Sequence, residues 1–235
     1  MPAAPRCYAL VPCAGVGLRA GAGGPKQYAP LAGRAVVAHT LHALAAVTRL
    51  EATLVVLAPD DKVFAEHAPG FGGPREWWAH CGGATRAESV AGGLIVLLER
   101  GAVPDDWVLV HDAARCLLQP AWVDRLIDAC LDDPVGGLLA LPLADTLKAA
   151  TGGAGAERVA ATLDRRAKWL AQTPQMFRLG LLQRALQAAG AAVTDESSAV
   201  EALGLAPRLV PGEIENLKLT WPADFALAAR LLETR

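Results

Sequence analysis

The chain's 235 residues are 53% hydrophobic and 20% charged, a composition that fills one main core burying roughly 70 to 75% of the unfolded surface and excludes a disordered chain, a collagen or a disulfide mini-protein. Its 22 Lys and Arg against 24 Asp and Glu leave a formal charge of −2, without the global basic excess of a protein that works on nucleic acid or acidic lipid, so any phosphate binding is local. The five cysteines are odd in number and form no C-x-x-C pair, which points to reduced thiols in a cytoplasm, and no uncharged apolar run approaches the roughly 20 residues of a membrane span.

Residues 8–11 read as a first buried strand, which runs straight into Pro12-Cys13-Ala14-Gly15-Val16-Gly17-Leu18-Arg19 and on through glycine-rich sequence to Gly24-Pro25-Lys26-Gln27-Tyr28. Glycines let backbone N–H groups approach phosphate oxygens, and Arg19 and Lys26 supply the positive charge that holds a triphosphate. Gly15-x-Gly17-x-x-Ala20 also meets the loose dinucleotide fingerprint, but that fingerprint needs a helix to begin at once. Gly21, Gly23, Gly24 and Pro25 forbid one, and no acidic residue follows about 20 positions on. A helix with Val37, Leu41 and Leu44 on one stripe comes next, then a strand over 53–57 and a weaker one over 77–80.

At His80-Cys81-Gly82-Gly83-Ala84-Thr85-Arg86-Ala87-Glu88-Ser89-Val90 two glycines turn the chain and a helix begins near Ala87. Its free N–H donors and the Ser89 hydroxyl suit a base or ribose; capping by Thr85 is the plainer use of the same residues. Val90, Leu94 and Leu97 form the helix stripe, and Gly101 stops it. The strand 107–110 then delivers Asp112 at its end and Arg115 three residues later. A carboxylate at a strand terminus is well placed for Mg²⁺, whereas His111 reads as a packed, hydrogen-bonded histidine because Mg²⁺ prefers oxygen.

Pro120 starts a helix carrying Trp122, Leu126 and Cys130, and 136–141 is another buried strand. Residues 142–169 hold no helix: a turn at Gly152, Gly153 and Gly155 precedes a β-prone run over 158–163, so this stretch reads as a hairpin excursion that folds back or packs on a second subunit. Helical stripes return at Leu179, Leu182 and Leu186, then at Val200 and Leu203 with Gly204 as a stop. Hydroxyls and cations of residues 216–220 fall on an expected last strand, and a final helix after Pro222 carries Phe225, Ala229 and Leu232. Strands alternating with helices predict one α/β domain over 1–235 with a mostly parallel sheet, whose ligands sit at the carboxyl ends of the strands, and with the 142–169 arm as an excursion within it.

Together, Pro12 to Arg19 with Pro25-Lys26-Gln27, Gly82-Gly83-x-x-Arg86-x-x-Ser89-Val90, Val110-His111-Asp112-Ala113-Ala114-Arg115, Asp145-Thr146-x-Lys148, Thr173-Pro174-Gln175, Thr194-Asp195-Glu196 and Asn216-x-Lys218-x-Thr220 resemble, in order and spacing, the 2-C-methyl-D-erythritol 4-phosphate cytidylyltransferases of isoprenoid biosynthesis. The resemblance implies a Rossmann-like nucleotidyltransferase core, a homodimer clasped by a β-arm, and an Mg²⁺-assisted transfer of a cytidylyl group from CTP. Ala14, Gly15, Gly83 and Ser89 would hold cytosine and ribose; Arg19 and Lys26 would grip the triphosphate; Asp112 would organise Mg²⁺. Thr146, Arg165 and Lys218 would hold the sugar phosphate, joined by Arg115, with the arm residues acting on the partner's site. The chain departs from the family pattern at Cys13, Leu18, Ala84, Thr85 and Cys116, of which Ala84 bears most on nucleotide placement. A sister family that uses ribitol 5-phosphate shares the nucleotide motifs.

Overall fold

The protein is described here by a computed structural model covering residues 4–15, 24–190 and 193–234. In chain order, β1 (Cys7–Pro12) leads through a short 3-10 turn (Lys26–Tyr28) to the tight hairpin β2 (Pro30–Leu31) and β3 (Arg34–Ala35), then α1 (Val36–Ala45), β4 (Leu50–Val56), α2 (Phe64–His67), β5 (Glu76–Ala79) and α3 (Arg86–Glu99). The second half runs β6 (Trp107–Val110), α4 (Pro120–Cys130), β7 (Gly136–Pro142), β8 (Leu147–Thr151), β9 (Arg158–Leu163), β10 (Trp169–Arg178), α5 (Leu179–Ala189), α6 (Glu196–Glu201), β11 (Arg208–Pro211) and α7 (Pro222–Glu233).

Seven strands form one sheet in the order β11-β7-β10-β6-β1-β4-β5. All neighbours are parallel except β10, which runs antiparallel to both β6 and β7. The sheet is covered on both faces, so its central strands read as continuous apolar runs: all four residues of β6 are buried, as are the first five of β1. Side chains still alternate along them. Ala9, Val11 and Leu109 pack with Leu41 and Leu44 of α1 and Leu126 of α4. Tyr8, Leu10, Val108 and Val110 face the other way, onto Leu94 and Leu97 of α3 and Leu182 of α5. A third cluster seats α7 through Ala228 against Leu31, Val36, Leu117 and Leu219.

The structure corrects the expected pattern in its second half. Apolar patterning misses β10 because Pro174, which has no N–H to give, lies in the middle of it, and pairing with β7 lapses between Ala171 and Gln175. The four-residue edge strand β11 is too short to stand out. Residues 216–220 are not a strand: Asn216 Nδ2 donates to the Thr173 carbonyl (2.8 Å) and the Leu219 N–H to the Ala114 carbonyl (2.9 Å), so these groups brace loops instead of a ladder. Leu203 lies beyond the end of α6 and is exposed. The arm pairs β8 with β9 in a two-stranded sheet of its own, and every residue of β9 is exposed.

Helix α3 packs closely through two glycines, Gly93 against the sheet and Gly92 against the loop after β5. A Cβ on Gly93 would meet side-chain atoms of Leu10 and Val56 at 2.7 Å, and one on Gly92 would sit 2.5 Å from the Cys81 carbonyl oxygen. The latter contact is with backbone and cannot be relieved by a rotamer change. Gly92→Ala should therefore cost about 1–3 kcal/mol in urea unfolding; an unchanged midpoint would mean that α3 can withdraw freely.

Candidate active site

At the carboxyl ends of β1, β4 and β6 the chain opens a cavity of about 480 Å³, walled by Ala14, Gly15, Lys26, Gly83, Asp112 and Lys218 among others. Glycine makes this convergence possible. A Cβ on Gly82 would lie 2.4 Å from the Ala14 Cβ and 2.7 Å from the Leu57 carbonyl oxygen, which the Gly82 N–H already meets at 2.8 Å. The loop after β5 thus touches the loop after β1 only because residue 82 has no side chain.

The next residues are held by a capping box in which Thr85 Oγ1 accepts from the Glu88 N–H (3.1 Å) and the Glu88 carboxylate accepts from the Thr85 N–H (3.2 Å). Ser89, in the cavity wall, accepts from the Gly83 N–H (3.1 Å) and donates to the Thr85 carbonyl (3.0 Å). Thr85 therefore caps the helix, and the buried Ser89 hydroxyl shapes the loop that presents Gly83.

The electrostatic centre is Asp112. Its oxygens meet Lys218 Nζ at 2.8 Å, Arg86 Nε at 3.0 Å and Arg115 Nε at 3.7 Å. Burial alone would raise this carboxyl's pKa, but the three cations outweigh burial and hold it well below the usual carboxylate range. The remaining fork of Arg86 is bidentate to the buried Glu196 at 2.5 and 3.0 Å, and the two carboxylates keep its guanidinium charged against desolvation. Three cations thus face two carboxylates. Lys26, tied by Nζ to the Leu219 carbonyl at 2.9 Å, adds positive charge to the same wall. This excess in a partly desolvated cleft suits a polyphosphate.

The structure brings together Ala14, Gly15, Lys26, Gly83, Ser89, Asp112 and Lys218. Arg19 lies outside the described residues. Arg115 is placed behind the cavity wall, donating to the carbonyls of Asn216 (2.6 Å) and Ala171 (3.3 Å), and reaches the site through Asp112. Thr146 and Arg165 stand exposed on the arm, away from this chain's own cavity lining. Sequence reasoning left Arg86 and Glu196 without roles. Both lie within quoted motifs, but nothing in the sequence pairs two residues 110 positions apart.

Among the described residues no three His, Cys, Asp or Glu side chains converge as a metal cage. Asp112, with Asp60 also in the cavity wall, is nevertheless a donor set that fits Mg²⁺, which commonly takes one or two carboxylates and completes its shell with phosphate oxygens and water. Volume does not choose the site: a larger groove of about 880 Å³ beside α1 has an apolar floor including Ala38, Leu41 and Phe71, and a rim of mixed charge without converging cations.

A family model described as 2-C-methyl-D-erythritol 4-phosphate cytidylyltransferase matches residues 7–234. The bifunctional enzyme IspD/IspF of Albidiferax ferrireducens is 62% identical over 231 residues, spanning 98% of this chain and 54% of its own length. The 2-C-methyl-D-erythritol 4-phosphate cytidylyltransferase of Laribacter hongkongensis is 58% identical over 231 residues, covering 97% of this chain and 96% of its own. Among solved structures, a 4-diphosphocytidyl-2C-methyl-D-erythritol synthase matches with a TM-score of 0.84 at 41% identity, covering 97% of this chain and 98% of that one. The Thermus thermophilus cytidylyltransferase matches at 0.74 and 32%, covering 96% and 98%.

His111 underlies the site from within the core. Its Nε2–H donates to the Arg115 carbonyl (3.1 Å) and its Nδ1 accepts from Thr173 Oγ1 (3.1 Å), which in turn accepts from the Asp112 N–H (3.0 Å). These partners assign the neutral tautomer. Burial lowers the imidazole from its ordinary 6.5 to about 4, although Asp112 pulls the other way. The neutral side chain's contribution to stability is complete above pH 6.5 and is lost as pH falls toward about 4, with a slope of up to about 1.4 kcal/mol per pH unit. Denaturation at a series of pH values should show that slope, and His111→Gln should flatten it; an equally steep variant would assign the acid sensitivity elsewhere.

Proposed function

The chain belongs to the 2-C-methyl-D-erythritol 4-phosphate cytidylyltransferase family, and we propose how its cavity joins the cytidylyl group of CTP to 2-C-methyl-D-erythritol 4-phosphate with release of pyrophosphate. The observation that carries the proposal is the set of cations at the carboxyl ends of β1 and β6, with Arg86 and Lys218 paired to Asp112 and Lys26 in the same cavity wall. A phosphate monoester is already an anion, so no general base is required. One of its oxygens attacks the α-phosphorus in line, forming the new P–O bond as the bond to the bridging oxygen breaks and pyrophosphate departs with the electron pair.

Lys26, with Arg19, holds the triphosphate and stabilises the charge that develops on it. The loops of Ala14, Gly15 and Gly83 hold the cytidine, with Ser89 bracing Gly83 behind them. Lys218, fixed by Asp112, receives the sugar phosphate. Arg115 supports it from behind. Mg²⁺, held by Asp112 and the phosphates, would neutralise phosphate charge when bound.

The chain works as one domain in a homodimer in the cytoplasm. The arm supports the dimer: a two-stranded sheet is marginal alone, and Val159 and Leu163 are 65% and 44% exposed on it. Thr146 and Arg165, on that arm, then complete the partner's acceptor site. Five free thiols fit a reducing compartment, and among the described residues no helix is long and apolar enough to cross a membrane.

Pyrophosphate release with CTP and Mg²⁺ should be fast with 2-C-methyl-D-erythritol 4-phosphate and slow with ribitol 5-phosphate; the reverse preference would move the acceptor to the sister class. Lys26→Ala should keep the fold and lower kcat on the order of 10² to 10³, as removal of one oxyanion donor does; near-normal turnover would remove Lys26 from the chemistry. Mixing inactive Lys26→Ala and Arg165→Ala subunits should restore about a quarter of wild-type activity, because one site of each mixed dimer then carries neither lesion. No recovery would place Arg165 in its own chain's site.

A further inference from the structure

We infer that Gln27 is the positioning residue that joins Lys26 and the Cys13–Gly15 stretch into one preformed nucleotide-binding unit. Gln27 is 6% exposed, and both hydrogens of its side-chain amide are engaged: Nε2 donates to the carbonyl of Cys13 at 2.9 Å and to that of Gly15 at 2.8 Å. Those two acceptors lie in the stretch that follows β1, and the donor lies beside Lys26. The Cys13–Gly15 stretch and the Lys26–Tyr28 turn are thus tied directly to each other.

The strand register explains why a side chain is needed there. Beyond the last β1–β4 pair, Pro12 with Val56, the Cys13 N–H still reaches the Val56 carbonyl at 2.8 Å. Continued parallel pairing would next bring the Ala58 N–H to the Cys13 carbonyl, but β4 has ended at Val56. Gln27 supplies a donor in its place, and a second one two residues on, as if the ladder continued. Because a trans peptide is planar, holding the Cys13 carbonyl also fixes the Ala14 N–H in the opposite direction. Lys26 and Gln27 are anchored on their far side as well. The neighbouring Tyr28 donates its hydroxyl to Asp61 and stacks on His67 with ring centroids 4.7 Å apart. The 3-10 turn is therefore fixed from both sides, and Lys26 inherits that fixity.

The inference rests on the cytidylyltransferase reading, and one experiment separates the two. CTP affinity by calorimetry and KM for each substrate are measured for wild type, Gln27→Met, which keeps the bulk without donors, and Gln27→Glu, which sets a carboxylate against two carbonyls. Leaving the buried Cys13 carbonyl unpaired and releasing the Gly15 carbonyl at the cavity edge should weaken CTP binding and raise its KM about tenfold or more in Gln27→Met, and further in Gln27→Glu. KM for 2-C-methyl-D-erythritol 4-phosphate at saturating CTP should stay within about twofold of wild type, a split that general structural damage would not produce. CTP affinity equal to wild type in a folded variant, or equal losses for both substrates, would overturn the role. Should Gln27→Met fail to fold, Gln27→Glu, which preserves side-chain shape, carries the same test. An inactive wild type would instead overturn the functional reading.

Discussion

Asp112 holds Arg86, Arg115 and Lys218 around a carboxylate whose side chain is 10% exposed, and each cation comes from a different part of the chain. Arg86 opens α3, Arg115 follows β6 and Lys218 belongs to the segment between β11 and α7. Without that negative charge three cations would converge in a partly desolvated space with one remaining counter-charge, the Glu196 carboxylate behind Arg86. Coulomb repulsion would then drive the side chains apart. The arrangement of the cavity's positive groups therefore depends on Asp112 before any ligand arrives.

That dependence is built into the backbone as well. The Asp112 N–H is held by Thr173, which also engages the neutral His111; Asn216 donates to the Thr173 carbonyl and accepts from Arg115 through its own carbonyl. Thr173 lies where β10 interrupts its pairing with β7. The single antiparallel strand in the sheet thus turns its irregular middle toward the carboxyl end of β6, and the gap in its ladder is filled by polar side chains serving the site.

Local signals were legible in the sequence wherever one residue's chemistry sufficed. The apolar runs of β1 and β6, the stripes of α1, α3 and α4, the proline starting α4 and the glycine after α3 all read correctly, because burial on both faces or on one stripe imposes its pattern on neighbouring positions. The loops around Gly15, Gly83 and Asp112 stand out by glycine and charge at strand ends, and the structure brings them to one cavity. Three-dimensional pairings were not legible. Arg86 with Glu196, Gln27 with the carbonyls of Cys13 and Gly15, and Asn216 with Thr173 are set by packing across the chain. Strand β10 was hidden because Pro174 breaks the local preference that tertiary pairing restores on either side of it.

The bond from Lys26 to the Leu219 carbonyl spans 193 residues and carries a consequence for how the molecule is made. A chain emerging from the ribosome can pair β1, β4 and β6 and cover them with α1, α3 and α4 while its last quarter is still unsynthesised. Lys218 and Leu219 arrive only afterwards, so the cavity's ionic wall is among the last long-range closures to form. Until then the nascent protein would have a sheet and a core but no functional mouth, which separates the birth of the scaffold from the birth of the activity.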